Sequence, residues 1–352
     1  MSTTKSNAFG FLKSPLLRYL GVRFLLIFPT VFILVSMVFF VMRAIGDPIT
    51  AALGGRLSDE ELHKRIHAAG YDRPVWVQYL EYLAQIARGD FGRTISTNQT
   101  IGELLGTYGM ATVELTVYSV IIALLVGIPL GMLAARYRDT MKDALARLFG
   151  ILAYATPVFF VGLLLKLVFA VALPILPVAG RASVGTELLL QTVPSPTGFF
   201  FIDALRTGDA GLIGDVVSHA VLPSLALGLL TAGVFLRLVR TNMIGTLNTD
   251  YVDAARSRGV SEYRLVTKHA YRPALIPVIT VIGMQIAVLL SGAVLTETTF
   301  EWKGLGFELS TFLNARDFVA VQGIVALLAV IVAVTNFIVD VVAALIDPRI
   351  KF

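Results

Sequence analysis

The chain has few residues placed to carry out covalent chemistry. It contains no cysteine, which excludes disulfides, thiolate metal sites and cysteine nucleophiles. No Gly-Lys dipeptide occurs, so the phosphate-binding loop G-x-x-x-x-G-K-[ST] is absent. His63 and His67 have the spacing at which two imidazoles can share a metal, but Lys64 stands where a metalloprotease requires Glu. We interpret the pair as a solvated helix face, and we predict neither a metal site nor an enzyme.

The most informative polar stretch is TDYVDAARSRGVSEYRLVTKHAYRPALIP, residues 249–277. Ala254 and Ala255 form a face that a partner can approach closely, and Gly259 permits a turn between two short helices. Ser261 can cap the second helix. Five basic residues surround this face: Arg256, Arg258, Arg264, Lys268 and Arg272. The pattern alone leaves open an ordinary basic loop and a partner-binding loop.

The elements that must position this stretch are membrane helices. Of the 352 residues, 56% are hydrophobic and 15% charged, and the mean hydropathy is +0.78; soluble domains are about one quarter charged. Six uncharged runs are long enough to cross a bilayer: 24–42, 115–135, 148–165, 220–236, 273–296 and 318–339. The first run is too long for a signal-peptide core and lacks a cleavage site before Arg43, so we predict that it stays in the protein.

The net charge of +5 reflects topology rather than nucleic-acid binding. Basic residues concentrate in the segments that lie inside when the N-terminus is cytoplasmic, which is the positive-inside bias, so we predict that both termini are cytoplasmic. Residues 9–22 fit either an interfacial helix or an extension of the first span.

The predicted outer segments differ in character. Residues 44–111 predict a small folded subdomain resting on the membrane part, with a capping box from Ser58 to Glu61 and a helix from Pro74 to Gly89. The apolar stripe of that helix comprises Val75, Tyr79, Leu80, Leu83 and Ile86. The loop at 173–218 is rich in Pro and Gly, and we expect it to be irregular.

The stretch at 249–277 resembles the coupling-loop signature of bacterial ATP-binding-cassette importer permeases, which is Glu-Ala-Ala, three residues, Gly, then Ile-x-Leu-Pro. The first four places are taken by Asp253, Ala254, Ala255 and Gly259. The downstream part departs, because His269, Tyr271 and Arg272 stand where Ile, Leu and Pro would. HAYRPALIP is instead similar to the H-A-x-R-N-A-L-I-P of the peptide and nickel branch, with Pro273 replacing Asn.

Other segments resemble the same branch from about residue 15 to the C-terminus. They are PVWVQYLEYL (74–83), RGDFGRT (88–94), GIPLGMLAAR (127–136), HAVLPSLALGL (219–229), ETTFEWKGLG (297–306), RDFVAVQG (316–323) and VDVVAALIDPRI (339–350). Lys303 replaces a common Pro in the fifth. Together these motifs are similar to the B-type permease of the dipeptide/oligopeptide/nickel family.

The resemblance implies an all-α integral membrane protein of the bacterial inner membrane, with six transmembrane helices, both termini inside and an extracytoplasmic subdomain after the first helix. It implies four parts: residues 1–23 cytoplasmic or interfacial, 24–43 the first span, 44–111 the outer subdomain, and 112–352 a five-helix core that includes a cytoplasmic coupling loop at 241–273. The coupling residues would be Asp253, Ala254, Ala255, Arg256, Arg258 and Gly259.

The resemblance also implies partners and cargo. A second, C-type permease, two ATP-binding-cassette ATPase subunits or domains and an extracytoplasmic substrate-binding protein would complete the importer. ATP and Mg would bind the ATPases, with no cofactor on this chain. Short peptides are the expected cargo; nickel or another small solute is the alternative, and a secondary carrier is a rival class.

Polar residues inside the predicted spans are candidates for the transport pathway. They are Lys166, Gln285 and Asn336. Lys166 could equally extend to the outer headgroups, and Gln285 could equally join two helices by a hydrogen bond. Asp340 lies near the inner end of the last run, where we expect it to pair with a cytoplasmic Arg.

Overall fold

The computed structural model describes residues 15–55 and 57–346, and these residues are organised as helices. The two chain ends, and with them residues 9–14 of the predicted interfacial segment, lie outside the described residues. The first nine helices are α1 (Pro15–Ile45), α2 (Pro48–Leu53), α3 (Asp59–Ala68), α4 (Val75–Ala87), α5 (Ile101–Arg136), α6 (Met141–Ala155), α7 (Val158–Leu165), α8 (Val184–Gln191) and α9 (Phe200–Thr207). The remaining six are α10 (Ala210–Leu247), α11 (Asp250–Ser257), α12 (Glu262–Arg264), α13 (Tyr271–Phe300), α14 (Leu305–Asn314) and α15 (Phe318–Ile346).

Four of these helices, α1, α5, α10 and α15, are long and apolar enough to cross a membrane. Two further pairs of consecutive helices are each bent at a short break. If each pair is one span, the number of spans becomes six, in agreement with the six uncharged runs. The third run is not one straight helix: α6 ends at Ala155, α7 begins at Val158, and the chain bends by 106° between them. Pro157 stands at this break, because a proline cannot donate the hydrogen bond that would continue the helix. Proline alone does not cause such a break, since Pro129 and Pro223 lie inside continuous helices.

The first helix is continuous from Pro15, so residues 15–22 extend the first span as a helix. Two of the long helices, α5 and α10, begin at side-chain caps. At the start of α5, Thr100 accepts a hydrogen bond from the Glu103 backbone, and the Glu103 carboxylate accepts one from the Thr100 backbone. At the start of α10, Asp209 accepts from the backbone of Gly211. These caps satisfy donors that the first helical turn leaves without intrahelical partners.

The centre of the bundle is the contact between α5 and α10, where small residues let two backbones approach. A Cβ atom added to Gly131 would lie 2.7 Å from Val239 Cβ and 2.8 Å from the Leu236 carbonyl oxygen. A Cβ atom on Gly127 would lie 2.7 Å from the Ala232 carbonyl oxygen. Lipid chains are as apolar as the side chains of the bundle, so the hydrophobic effect does not drive the helices together. Close packing of this kind has to hold them instead.

The outer segment after α1 packs on the membrane helices through α4. Tyr79 and Ser36 share a hydrogen bond of 2.7 Å between their hydroxyls, and the Tyr82 ring stacks on Phe39 at 5.4 Å. The helix occupies the predicted stretch and ends before Gly89. The predicted stripe is only partly correct, because Val75 and Leu80 are exposed while Tyr82, which the pattern omitted, is buried.

The expectation of an irregular loop at 173–218 is wrong, because α8, α9 and the first turns of α10 lie within it. Ser183 caps α8 by accepting from the Thr186 backbone, and Gly208 ends α9 with φ +71°. The apolar residues of these helices form their own cluster, centred on Leu190, Ala204 and Val216. Pro and Gly residues mark the ends of these short helices rather than an absence of structure.

The close contact of α5 with α10 makes a stability prediction. Gly131→Ala places a methyl group against Val239 and the Leu236 carbonyl, and overpacking of this kind costs about 1–3 kcal/mol. Gly106→Ala is the matched control on the same helix, because nothing lies within 4 Å of its Cβ position. We expect a lower melting temperature for Gly131→Ala and an unchanged or higher one for Gly106→Ala in detergent. Equal melting temperatures for the two variants would contradict this packing.

Candidate functional site

The polar stretch at 249–277 folds as α11, a turn, and a helical segment that leads into α13. Helix α11 follows α10 after a tight connection in which the Thr249 hydroxyl donates to the Thr246 carbonyl oxygen at 2.6 Å. Val252 fixes one side of α11, since it is fully buried. Asp253 and Ala254 lie on the exposed side, and Ala255 is partly buried. The helix therefore has one face attached to the bundle and one face free for a partner.

Gly259 ends α11 in the left-handed region, with φ +79°. The Gly259 backbone N–H donates to the Arg256 carbonyl at 3.0 Å, and the Val260 N–H reaches back to the Ala255 carbonyl at 3.2 Å. These two bonds are the Schellman arrangement, which closes a helix and reverses the chain. No atom lies within 4 Å of the Gly259 Cβ position, so the backbone angle alone restricts the residue here.

Arg256 joins the two sides of this turn. Its guanidinium donates to Asp253 on α11 and, at 2.8 Å, to Glu262 at the start of α12. The hydrogen bond to Glu262 and the negative charges of Glu262 and Asp253 raise the pKa of Arg256. Arg258 is exposed and forms no ion pair within the described part of the chain. Arg256 therefore stabilises the turn, whereas Arg258 is free for contact with a partner.

Two details of the predicted turn are wrong. Ser261 stands at the N-cap position of α12 with an extended backbone, but its side chain makes no capping hydrogen bond. The second helix is not a separate short element, because a π-helical segment, Leu265–Ala270, connects α12 directly to α13. The cause is the burial of Leu265, Val266 and Ala270 in the bundle, which favours a helix that continues into the span.

The three predicted pathway residues do not form one site. Lys166 donates to the Thr299 carbonyl oxygen at 2.8 Å, near the outer end of α13. Gln285 is partly buried 14 residues earlier on α13, which at 1.5 Å per residue is about 21 Å away. Asn336 is exposed on α15. Asp340 lies 3.3 Å from Arg23, the pairing expected from the sequence. The roles of Lys166, Gln285 and Asn336 in a pathway remain predictions.

Sequence reasoning missed a buried ionic network at the end of the bundle opposite α11. Glu114 on α5 and Arg181, which precedes α8, form a salt bridge, although their side chains are only 0% and 6% exposed. The Glu114 carboxylate also accepts from the Tyr118 hydroxyl at 2.7 Å and the Phe201 backbone at 3.0 Å. Arg181 donates to the Gly198 carbonyl oxygen and lies 3.7 Å over the Phe200 ring.

A second buried carboxylate, Glu297 on α13, holds the connection to α14. It accepts from the Thr112 hydroxyl at 2.7 Å and from the Phe307 backbone at 2.9 Å. Trp302 is fully buried, and its indole N–H donates to the Ala111 carbonyl oxygen. Glu114 directly precedes an uncharged run, and Glu297 directly follows one. A search that included the residues at the ends of the runs would have found both.

One member of the histidine pair, His67, is hydrogen-bonded to a nearby carboxylate. His67 Nδ1 lies 2.5 Å from Asp72 Oδ2, and this hydrogen bond lowers the pKa of the Asp72 carboxyl. Within residues 15–55 and 57–346, no group of three His, Cys, Asp or Glu side chains is placed to hold a metal ion.

Comparison with known proteins places these features in a family. The family model described as "Binding-protein-dependent transport system inner membrane component" matches residues 127–352, and its N-terminal counterpart matches residues 16–123. The di/tripeptide transport system permease protein DppB of Pseudomonas aeruginosa is 37% identical over 338 residues, 96% of this chain and 99% of the relative. The dipeptide permease DppB of Escherichia coli K12 is also 37% identical, over 96% of this chain and 98% of that protein. The glutathione transport system permease protein GsiC of Salmonella paratyphi A is 31% identical over 96% of this chain and all of that protein.

The buried pair of Glu114 and Arg181 makes a second prediction. Arg181→Gln leaves a buried carboxylate without its cation, and breaking such a pair costs about 3–5 kcal/mol. Adding Glu114→Gln removes the unpaired charge while keeping an acceptor for the Phe201 backbone, so the double variant should recover part of the loss. The melting temperature in detergent measures both. If Arg181→Gln melted like the wild type, or if the double variant were less stable than the single one, the pair would not hold this layer.

Proposed function

The chain belongs to the family of binding-protein-dependent transport system inner membrane components, and from that premise we propose that it is a permease subunit of an ATP-driven importer of short peptides. It is a multi-pass protein of the bacterial inner membrane. The observation that supports the proposal most directly is the loop between α10 and α13, where a helix with an exposed Asp253–Ala254 face ends at the positive φ of Gly259. The chain is related to peptide permeases over nearly its whole length, and this supports a coupling role for the loop.

The proposed cargo is a short peptide. Two of the relatives described above are named for dipeptides or tripeptides, and the third for glutathione, itself a tripeptide. All three are similar over 96% of this chain, so the resemblance includes the membrane helices and the outer segments alike. Transport of nickel or another small solute through the same architecture is the alternative. Membership of the family weighs against a secondary carrier.

The energy for transport is proposed to come from other chains. The sequence has no phosphate-binding loop of the Gly-Lys type, so this subunit would be a non-catalytic partner, with ATP and Mg on two ATP-binding-cassette subunits or domains. A second, C-type permease would form the other half of the pathway. A substrate-binding protein would deliver the peptide from outside. No nucleic acid enters the scheme.

The geometry supports a specific route for the coupling. Helix α11 lies between two membrane helices, joined to α10 by the turn at Thr249 and to α13 through α12 and the π-helical segment. Arg256 restrains the turn by bonding to both of its sides. A displacement of α11 by an ATPase would therefore move α10 and α13 together, because a short rigid element transmits rigid-body motion. The exposed face formed by Asp253 and Ala254 is the proposed contact.

The turn at Gly259 provides the experiment that tests this function. Gly259→Val forces a β-branched residue to positive φ, a strain of about 1–3 kcal/mol, whereas Gly259→Asn places there a residue that tolerates this region. We expect Gly259→Val to reach the membrane and assemble, but to lower peptide uptake about tenfold or more, since 1.4 kcal/mol corresponds to about a factor of ten. Gly259→Asn should transport nearly as well as the wild type.

Uptake of a labelled dipeptide in cells and ATPase stimulation by loaded binding protein measure the effect, with membrane abundance as the control. Equal uptake by Gly259→Val and Gly259→Asn would show that the turn does not couple the subunits. If wild-type cells grew without using peptides and took up another solute normally, that solute would replace the peptide as the proposed cargo. The proposed coupling would be unaffected by this result.

A further inference from the structure

A cavity of about 240 Å³ opens between α6 and α10, on the side of the bundle where the basic loops lie. Its floor is formed by Gly150 and Gly233, at which the two helices touch through their backbones. A Cβ atom on Gly233 would lie 2.8 Å from the Gly150 carbonyl oxygen. Leu236 and Ile151 form the apolar walls, and Ile151 is 56% exposed. The cavity is therefore an open notch in the surface of the bundle, and the part of it next to the two glycines is apolar.

Three arginines surround the upper part of this notch. Arg240 forms two hydrogen bonds with the fully buried Asp143, at 2.6 and 2.8 Å. Arg147 lies 3.6 Å from the same carboxylate, with half of its side chain exposed. Arg237 stacks near the Tyr154 ring, 5.7 Å from its centroid, and has no acidic partner among the described residues.

These groups leave an excess of positive charge beside an apolar surface. Asp143 is the carboxylate within ion-pair distance of Arg240 and Arg147, and Arg237 has no acidic partner among the described residues, so the three guanidinium groups carry an excess of positive charge. Arg240 holds Asp143 by two hydrogen bonds, so Arg147, whose contact with that carboxylate is longer, and Arg237 are the lining arginines available to an anion. A guanidinium fork matches the oxygens of a phosphate group.

The position of the notch identifies the source of that phosphate. Helix α6 presents exposed Leu148, Ile151 and Leu152 beside the notch, a surface suited to acyl chains. The positive-inside bias predicts that this end of α6 and α10 lies at the cytoplasmic boundary, where anionic lipids attract basic residues. A free phosphate would use the arginines but would leave the apolar walls without a partner.

We propose that the notch between α6 and α10 binds an anionic phospholipid of the inner leaflet. Arg147 and Arg237 hold its phosphate, and Ile151 and Leu236 contact the upper part of its acyl chains. This inference is independent of the cargo of the importer. An occupied notch would stabilise the contact of α6 with α10, and through it the cytoplasmic end of the helix that leads into α11.

The test compares the full chain, purified with the subunits that accompany it, in nanodiscs of phosphatidylglycerol and of phosphatidylcholine. We expect the wild type to melt at a higher temperature in phosphatidylglycerol and to retain this lipid in native mass spectra. The double variant Arg147→Gln/Arg237→Gln should lose most of the thermal shift, and its affinity for the lipid should fall about tenfold or more, because two charge-assisted hydrogen bonds are removed.

The control variant is Arg138→Gln/Lys142→Gln, which removes the same number of positive charges beside and within α6 at residues that do not line the notch. It should keep the thermal shift and the bound lipid. The proposal is overturned if both double variants lose the shift equally, since general surface charge would then explain it. It is also overturned if inorganic phosphate in phosphatidylcholine nanodiscs reproduces the shift. Absence of bound phosphatidylglycerol in the wild-type assembly would indicate that a partner subunit covers the arginines, and would overturn it as well.

Discussion

The close contact of α5 with α10 determines where the other membrane helices can lie. In a bilayer, apolar side chains gain nothing by leaving lipid for protein, so the helices are held by close packing and by satisfied polar groups. Gly127 and Gly131 allow this contact on one side of α10, and Gly150 allows α6 to approach at Gly233 on another. Helix α10 is thus packed from two directions. Packing from two directions supports the proposed rigid-body movement of α10.

The two ends of this rigid unit have different tasks. At the outer end, Glu114 and Glu297 are buried and bonded to backbone N–H groups of other segments, so they fix the loops that follow α7 and α13. At the other end, α10 leads into α11, whose exposed face carries Ala254. In the proposed mechanism, these buried polar groups keep the shape of one end of the bundle, and the loop at α11 contacts partner subunits at the other.

The sequence was sufficient for features that depend on local pattern. Uncharged runs identified the membrane helices, and the spacing to Gly259 identified a turn that the structure forms by backbone bonds. Features that depend on distant parts of the chain could not be predicted. Glu114 and Arg181 are 67 residues apart, so their pairing has no local signal. Likewise, an uncharged run has the same composition whether the helix is straight or bent, and only the geometry at Pro157 distinguishes the two.

A cross-linking measurement tests the coupling loop most directly. The chain contains no cysteine, so a single cysteine introduced at the exposed Ala254 would be the one thiol of this subunit that a cross-linking reagent can modify. In the assembled importer, Ala254→Cys should cross-link to an ATPase subunit through a short bifunctional reagent, with a yield that changes when ATP is added. Trp76→Cys, which is exposed in the outer subdomain, should give no such product. Failure of Ala254→Cys to reach the ATPase, or an equal yield from Trp76→Cys, would contradict the assignment of α11 as the element that connects ATP hydrolysis to transport.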